Sequence, residues 1–289
     1  MPELPDLLYI RGYLQQTVVG HAIRAVHVKQ PVVLRVAVPQ TVEGVLPGAT
    51  IQKVAIHGPF MRIELSGSID LVTHLMLMGR LQHQHAGETP LAYRCVSFDL
   101  DDATSLNLCD EQKKAKCYVV PHGSYGVIPS YDRQGVDILS PAFTFDVFRT
   151  LISHHPRMQI RSFLNDHTAL SSIGNAYADE ILFEATIHPK TFLARLVSGE
   201  VERLFSAIHT VMNAGIRHVQ AESQPIHIKV RDHMKVRMRK GQPCPRCGTS
   251  IRREGVRGFD VYFCPQCQPP SRKLFLDWRM LLCAVPGLC

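Results

Sequence analysis

Four cysteines constrain this chain more than any other feature. Cys244, Cys247, Cys264 and Cys267 are spaced C-x2-C-x16-C-x2-C, so two tight knuckles can set four thiolates tetrahedrally around one Zn²⁺ at ~2.3 Å. Four thiolates close the coordination sphere, which makes the metal structural and leaves it no position for a substrate. Between the pairs, GTSIRREGVRGFDVYF puts a Gly-rich turn between strand-like ends, which predicts a β-hairpin zinc ribbon or finger within 226–270. Cys95, Cys109, Cys117, Cys283 and Cys289 follow no paired spacing, and nine cysteines are an odd number. A disulfide framework is not expected.

The cysteines sit in a basic stretch. Between 229 and 257, ten Lys and Arg face only Asp232 and Glu254, in a chain of 289 residues with a formal charge of +7. Positive charge concentrated in this way favours a polyanionic partner. At 45% hydrophobic residues the chain is no disordered tail, and its length suggests two domains of roughly 100–200 residues each. No segment approaches the ~18–20 uninterrupted apolar residues that a bilayer crossing needs. Glu3 and Asp6 stand where a signal peptide would carry basic residues, so a soluble protein in the cytoplasm, with no membrane partner, is expected.

The pattern along the chain predicts an α+β protein. Leu7, Ile10 and Leu14 give residues 3–19 a helical face that stops at Gly20. Short β-rich runs follow at 22–28, 51–56, 60–65, 70–76 and 93–100. Together these predict an N-terminal β-sandwich or barrel with a flanking helix over 1–125. A Gly-, Pro- and Ser-rich stretch at 126–141 reads as an interdomain linker. Helix-period segments such as TFDVFRTLI, NAYADEILFEA and EVERLFSAIHTVMNAGI then make 142–225 helical. A C-terminal extension, 271–289, follows the zinc module.

Two further motifs carry chemistry. Pro2-Glu3-Leu4-Pro5-Asp6 reads as a helix start. Removal of the initiator methionine would also leave Pro2 with a secondary amine, able to attack an electrophilic carbon and form an iminium. Ser172-Ile-Gly-Asn-Ala-Tyr-Ala-Asp-Glu180 follows a turn-rich break and opens a helix, with Asn175 a natural N-cap. With the four cysteines, these motifs stand in the order and spacing of the formamidopyrimidine-DNA glycosylase/endonuclease VIII family, which the chain resembles over its whole length as a divergent member.

The resemblance implies a base-excision DNA repair enzyme, a bifunctional glycosylase and AP lyase. It would release oxidised or ring-opened bases through an N-terminal proline Schiff base and cleave the backbone by β,δ-elimination. Its partner would be double-stranded DNA with damaged bases or abasic sites, bound by a monomer in a bacterial-type, nucleoid-associated setting. Pro2 takes the nucleophile's place and Glu3 that of the acid/base group, with Asp6 as the next catalytic acid, where the family has glutamate. His74 precedes the wedge that fills the hole left by a flipped nucleotide; Leu77 stands at the plug position, with Met76 and Met78 as neighbours. Asn175 and Arg239 are carried over as phosphate contacts, and Tyr177, Asp179 and Glu180 as residues holding the motif together.

The match fails at three places. A catalytic lysine of the family aligns with Pro59, for which His57 or Arg62 are candidate replacements. An arginine-bearing segment appears here as Asp110-Glu-Gln-Lys-Lys-Ala115, leaving Lys113 as the phosphate-binding cation. The finger arginine falls at Phe259, with Arg257 two residues earlier on the same face of a hairpin; either could meet DNA. These departures keep open an alternative, a damaged-DNA or abasic-site binding protein with little turnover.

Overall fold

The structure is a computed structural model and describes residues 1–256 and 259–270. Arg257 and the 271–289 extension therefore lie outside the described residues. The chain forms two compact units. One gathers 1–143, 165–174 and 212–233; the other gathers 144–164, 175–211 and the residues from 234 onward. Each is discontinuous, unlike the serial division expected from the sequence.

In the first unit, α1 (Leu4–Thr17) begins with Pro5 in its first turn, where a missing N–H interrupts no helical bond. Its Leu7, Ile10 and Leu14 are buried. A five-stranded sheet has the order β2 (Leu34–Val36), β9 (Lys116–Pro121), β5 (Ile69–His74), β4 (Phe60–Leu65), β3 (Ile51–His57). A four-stranded sheet has the order β1 (Ile23–Val28), β7 (Arg94–Leu100), β8 (Ser105–Cys109), β6 (Arg80–Gln84). Only β2 and β9 run parallel among these pairings, and a single turn, α2 (Val42–Val45), leads from β2 towards β3. Met61, Ile63 and Leu71 of the larger sheet close one core with Val96, Phe98, Leu106 and Leu108 of the smaller one and with α1. The result is a sandwich.

Residues 126–141 are not a free linker. Ile128 and Tyr131 pack with Phe60, Val72 and Val120 on the outer face of the five-stranded sheet. Further on, β10 (Val136–Asp137) pairs in parallel with β11 (Leu170–Ser171). That pairing explains why 165–174 belongs to the first unit, and it brings Gly174 to the start of the chain.

The second unit holds α3 (Phe145–His154), whose Thr144 Oγ1 accepts from the Val147 N–H at 3.3 Å. It continues with α4 (Ile160–Leu164), α5 (Asn175–Ala185) and residues 198–211 of α6 (Ser198–Glu222). Phe148, Phe163, Tyr177 and Phe183 are fully buried. A hairpin of β12 (Arg252–Val256) and β13 (Phe259–Phe263) completes it.

Candidate functional site

The start of the chain lies in a small pocket of the first unit, lined by Pro2, Asp6, Leu75, Arg80, His227 and Lys229 among others. The Met1 ammonium donates to the Leu77 carbonyl at 3.0 Å, and Lys229 Nζ donates to the same oxygen at 3.1 Å. Burial, then the charge of Lys229, holds the Met1 amine down to about 5. The Met1 amine is therefore largely unprotonated at neutral pH.

Glu3 is buried at 5% exposure. Its carboxylate accepts from the Gly174 N–H at 3.2 Å, and the Leu4 N–H donates to the Ser172 carbonyl at 3.2 Å. A Cβ on Gly174 would lie 2.5 Å from the Glu3 carboxyl carbon, so glycine is required by close approach. Asp6 serves differently from the catalytic acid expected of it. It accepts from the Glu3 backbone N–H at 2.8 Å and takes a two-pronged ion pair from Arg231, at 2.9 and 2.5 Å. With both oxygens engaged, Asp6 is an anchor for the site.

The β5–β6 loop carries the residues expected as the wedge. Leu75 is buried, whereas Leu77 is 57% exposed and Met76 38%; Met78 is intermediate. The loop closes with the Gly79 N–H on the Leu75 carbonyl at 2.9 Å, and a Cβ on Gly79 would lie 2.2 Å from that oxygen. Met76 has φ +50°, a left-handed strain characteristic of functional turns. His74 Nδ1 accepts from the Met76 N–H at 3.1 Å, which assigns the ring proton to Nε2. Burial lowers this imidazole to about 4, so it is a neutral donor.

Neither proposed substitute for the missing lysine lines this pocket. Pro59 is buried at the β3–β4 turn. His57 Nε2 meets the Tyr131 carbonyl at 2.9 Å, and Arg62 pairs with Glu64 at 2.7 Å beneath the Tyr125 ring. Both belong to the packing of 126–141 on the sheet. Lys113 is exposed on a tight turn at φ +55°. Asp110 fixes that turn by accepting from the N–H groups of Gln112, Lys114 and Ala115 at 3.0, 2.7 and 2.7 Å.

In the second unit, Asn175 heads α5, and its Oδ1 accepts from Arg161 Nη2 at 3.0 Å, which fixes the assignment of the amide oxygen and nitrogen. Asp179 sits between Arg161 and Arg237, each at 2.8 Å. Burial pushes the Asp179 carboxyl up to about 6, against the pull of both guanidinium groups. Glu180 accepts the backbone N–H groups of Lys235, Val236 and Arg237 at 2.8–2.9 Å. These two acids tie α5 to the turn-rich approach to the zinc module. Arg239 donates from Nε to the Met234 carbonyl and from Nη1 to Gln242 at 3.4 Å.

The four cysteine sulfurs lie within 4.8 Å of one another. Cys244 and Cys267 are 3.8 Å apart at sulfur, and Cys247 and Cys264 are 3.4 Å apart. A tetrahedron with ~2.3 Å Zn–S bonds has edges of about 3.8 Å, so the residues fit one Zn²⁺. Bound there, the ion cross-links the two knuckles. Arg257 lies outside the described residues, and of Phe259 only the backbone pairing with Val256 is described.

Sequence reasoning missed Lys229, Arg231, Gly174 and Arg161. The signal for the first two was the basic run itself, read as one surface when it serves several places.

Comparison with known proteins agrees with this architecture. Residues 1–117 match the formamidopyrimidine-DNA glycosylase N-terminal domain, 134–225 the H2TH domain of that enzyme, and 241–270 a zinc finger found in FPG and IleRS. The formamidopyrimidine-DNA glycosylase of Symbiobacterium thermophilum is 33% identical, covering 96% of this chain and 93% of its own. That of Pelotomaculum thermopropionicum is 30% identical over 93% and 99%. Among solved structures, the MutM (Fpg) protein of Thermus thermophilus superposes with a TM-score of 0.81 at 29% identity, over 93% of this chain and all of that one. The Lactococcus lactis Fpg bound to DNA with an abasic site, at 22% identity and a TM-score of 0.83, shows the same fold. With both units and the zinc module matched in order, the chain belongs to the formamidopyrimidine-DNA glycosylase family.

Proposed function

We propose that this protein is a cytoplasmic base-excision DNA glycosylase with AP lyase activity, acting on duplex DNA that carries oxidised or ring-opened bases or abasic sites. The observation that carries this reading is the amine-lowering pocket at the start of the chain, with the Glu3 carboxyl buried beside Gly174. Removal of Met1 would expose the Pro2 nitrogen within it. Attack of that nitrogen on C1′ forms the new C–N bond as the glycosidic bond breaks and the base leaves with its electron pair. The Glu3 carboxylate takes the proton that the amine gives up on attack and delivers it to the ring oxygen, so that the C1′–O4′ bond breaks and the sugar opens to an iminium. Elimination of the 3′ and then the 5′ phosphate follows.

The loop carrying Met76, Leu77 and Met78 supports a wedge into the stack, with neutral His74 as a donor at its base. Lys113, Asn175 and Arg239 are cast as phosphate contacts, and an amide at a helix start suits an anion. Borohydride trapping on duplex DNA with an abasic site tests the reading: the mature protein forms a covalent adduct and Pro2→Gly forms none. Tight binding without adduct or strand cleavage by the mature protein would instead establish the binding-protein reading that Pro59 motivates.

A further inference from the structure

We infer that Lys229 is the cation that positions and electrostatically tunes the amino-terminal nitrogen, a role that the β3–β4 hairpin leaves open with Pro59 at its turn. The inference rests on the proposed amine chemistry and assigns it a further residue. Lys229 Nζ and the Met1 ammonium, one residue ahead of the Pro2 nitrogen, share the Leu77 carbonyl, at 3.1 and 3.0 Å, and Lys229 and Pro2 line the same pocket. Lysine can stay there because its segment is pinned on both sides. Tyr9 Oη donates to the Gln224 carbonyl at 2.6 Å, Ile226 enters the sandwich core, and Arg231 grips Asp6.

Other charges also face the terminal nitrogen. Glu3 and Asp6 come from α1 and favour its protonated form; Arg231 joins Lys229 in opposing it, and Arg80 and His227 line the same pocket. His74, on β5, is neutral. Lys229 is the larger of the two opposing cationic influences, and among the residues lining the pocket it is the only lysine. Arg231 is committed to a carboxylate, whereas Lys229 donates to the carbonyl it shares with the Met1 amine. Lys229 thus does two things once Met1 is gone: it holds the Leu77 carbonyl at the pocket that Pro2 lines, and its charge disfavours a proton on the Pro2 nitrogen.

Single-turnover borohydride trapping across pH 5–9, with the mature full-length protein and abasic-site duplex, tests this. Lys229→Met keeps the stem and removes the charge. Its low-pH limb is expected to move up by about one unit, giving about fivefold slower adduct formation at pH 5, about twofold at pH 6 and near-parental rates at pH 9. Lys229→Arg, checked alongside for folding by its thermal transition, restores most of the parental profile. An unshifted Lys229→Met profile overturns the inference, as does peptide mapping that places the trapped sugar on Lys229 itself. Absence of any adduct with the parent would sink the amine chemistry instead, a separable result.

Discussion

The basic run behaves in opposite ways in the two units. In the second unit its arginines are bound internally: Arg237 to Asp179, Arg246 to Glu184 and the Phe183 carbonyl, Arg253 to Asp260. In the first unit the same run sends Lys229 and Arg231 to the start of the chain, where they shape an amine and hold α1. Cations adjacent in sequence are thus spent on internal ion pairs in one place and on the surroundings of the terminal amine in the other. The count of ten overstates the charge offered to a polyanion. Lys240 and Arg252, exposed and outside any ion pair among the described residues, are better candidates for that task than the arginines that first draw notice.

The largest expected effect concerns the metal. Chelating Zn²⁺, or replacing Cys247 with Ser, should melt the zinc module, on the order of 10 kcal/mol of metal-linked folding energy. DNA affinity should collapse while the sandwich's thermal transition persists; loss of both transitions together would show that the units are not independent in this respect. Next, Asp179→Asn leaves Arg161, 3% exposed, without its anion, at a cost of about 3–5 kcal/mol read from denaturant midpoints. A cost below ~1 kcal/mol would mean that the second unit does not depend on its internal pairs.

Gly174→Ala should slow base release by tenfold or more with little loss of DNA affinity, because the new Cβ would displace the Glu3 carboxyl. Equal losses in binding and release would count against Glu3's seat as the reason. A pH effect follows from His74. Its folded value of about 4 lies below the unfolded 6.5, so the unfolded chain binds the proton first. Stability is then fully present above pH 6.5 and is lost as pH falls towards 4, by about 3 kcal/mol at most. In His74→Asn that part of the acid sensitivity of the sandwich should vanish. Smallest of all, Lys240→Gln should reduce the slope of log affinity against log salt by about 1, whereas Arg237→Gln should destabilise the unit and leave the slope nearly unchanged.

How much was legible depended on whether the chemistry was local. The knuckles, α1 and β4 follow from spacing within a few residues, and β4 runs over 60–65 as its alternation predicts. By contrast, β6 and β8 carry inward Gln82 and Asn107, which look like loop residues. They are buried because Asn107 Nδ2 donates to Gln84 at 2.9 Å and Ser97 Oγ donates to Asn107 at 2.6 Å, across strands that no local pattern connects. The 126–141 stretch misled for a related reason: its turn residues are genuine, but Ile128 and Tyr131 bury between them. Pro2, Glu3 and the 74–78 loop could be singled out from motifs. Lys229 and Arg231 could not, since their partners lie about 150 and 225 positions away.

That separation bears on how the protein matures. Residue 3 is seated on residue 174, and residue 6 on residue 231, so a ribosome must deliver most of the polypeptide before the front of the chain finds its place. Until then the leading methionine protrudes from the exit tunnel, accessible to an aminopeptidase; afterwards its amine is tucked against Leu77. If Met1 is removed as proposed, trimming would have to act before residues 174 and 231 reach the start of the chain. Protein produced faster than the peptidase can process it would accumulate as a folded but blocked fraction, visible as a 131-dalton heavier species on intact-mass spectra at about the methionine residue mass.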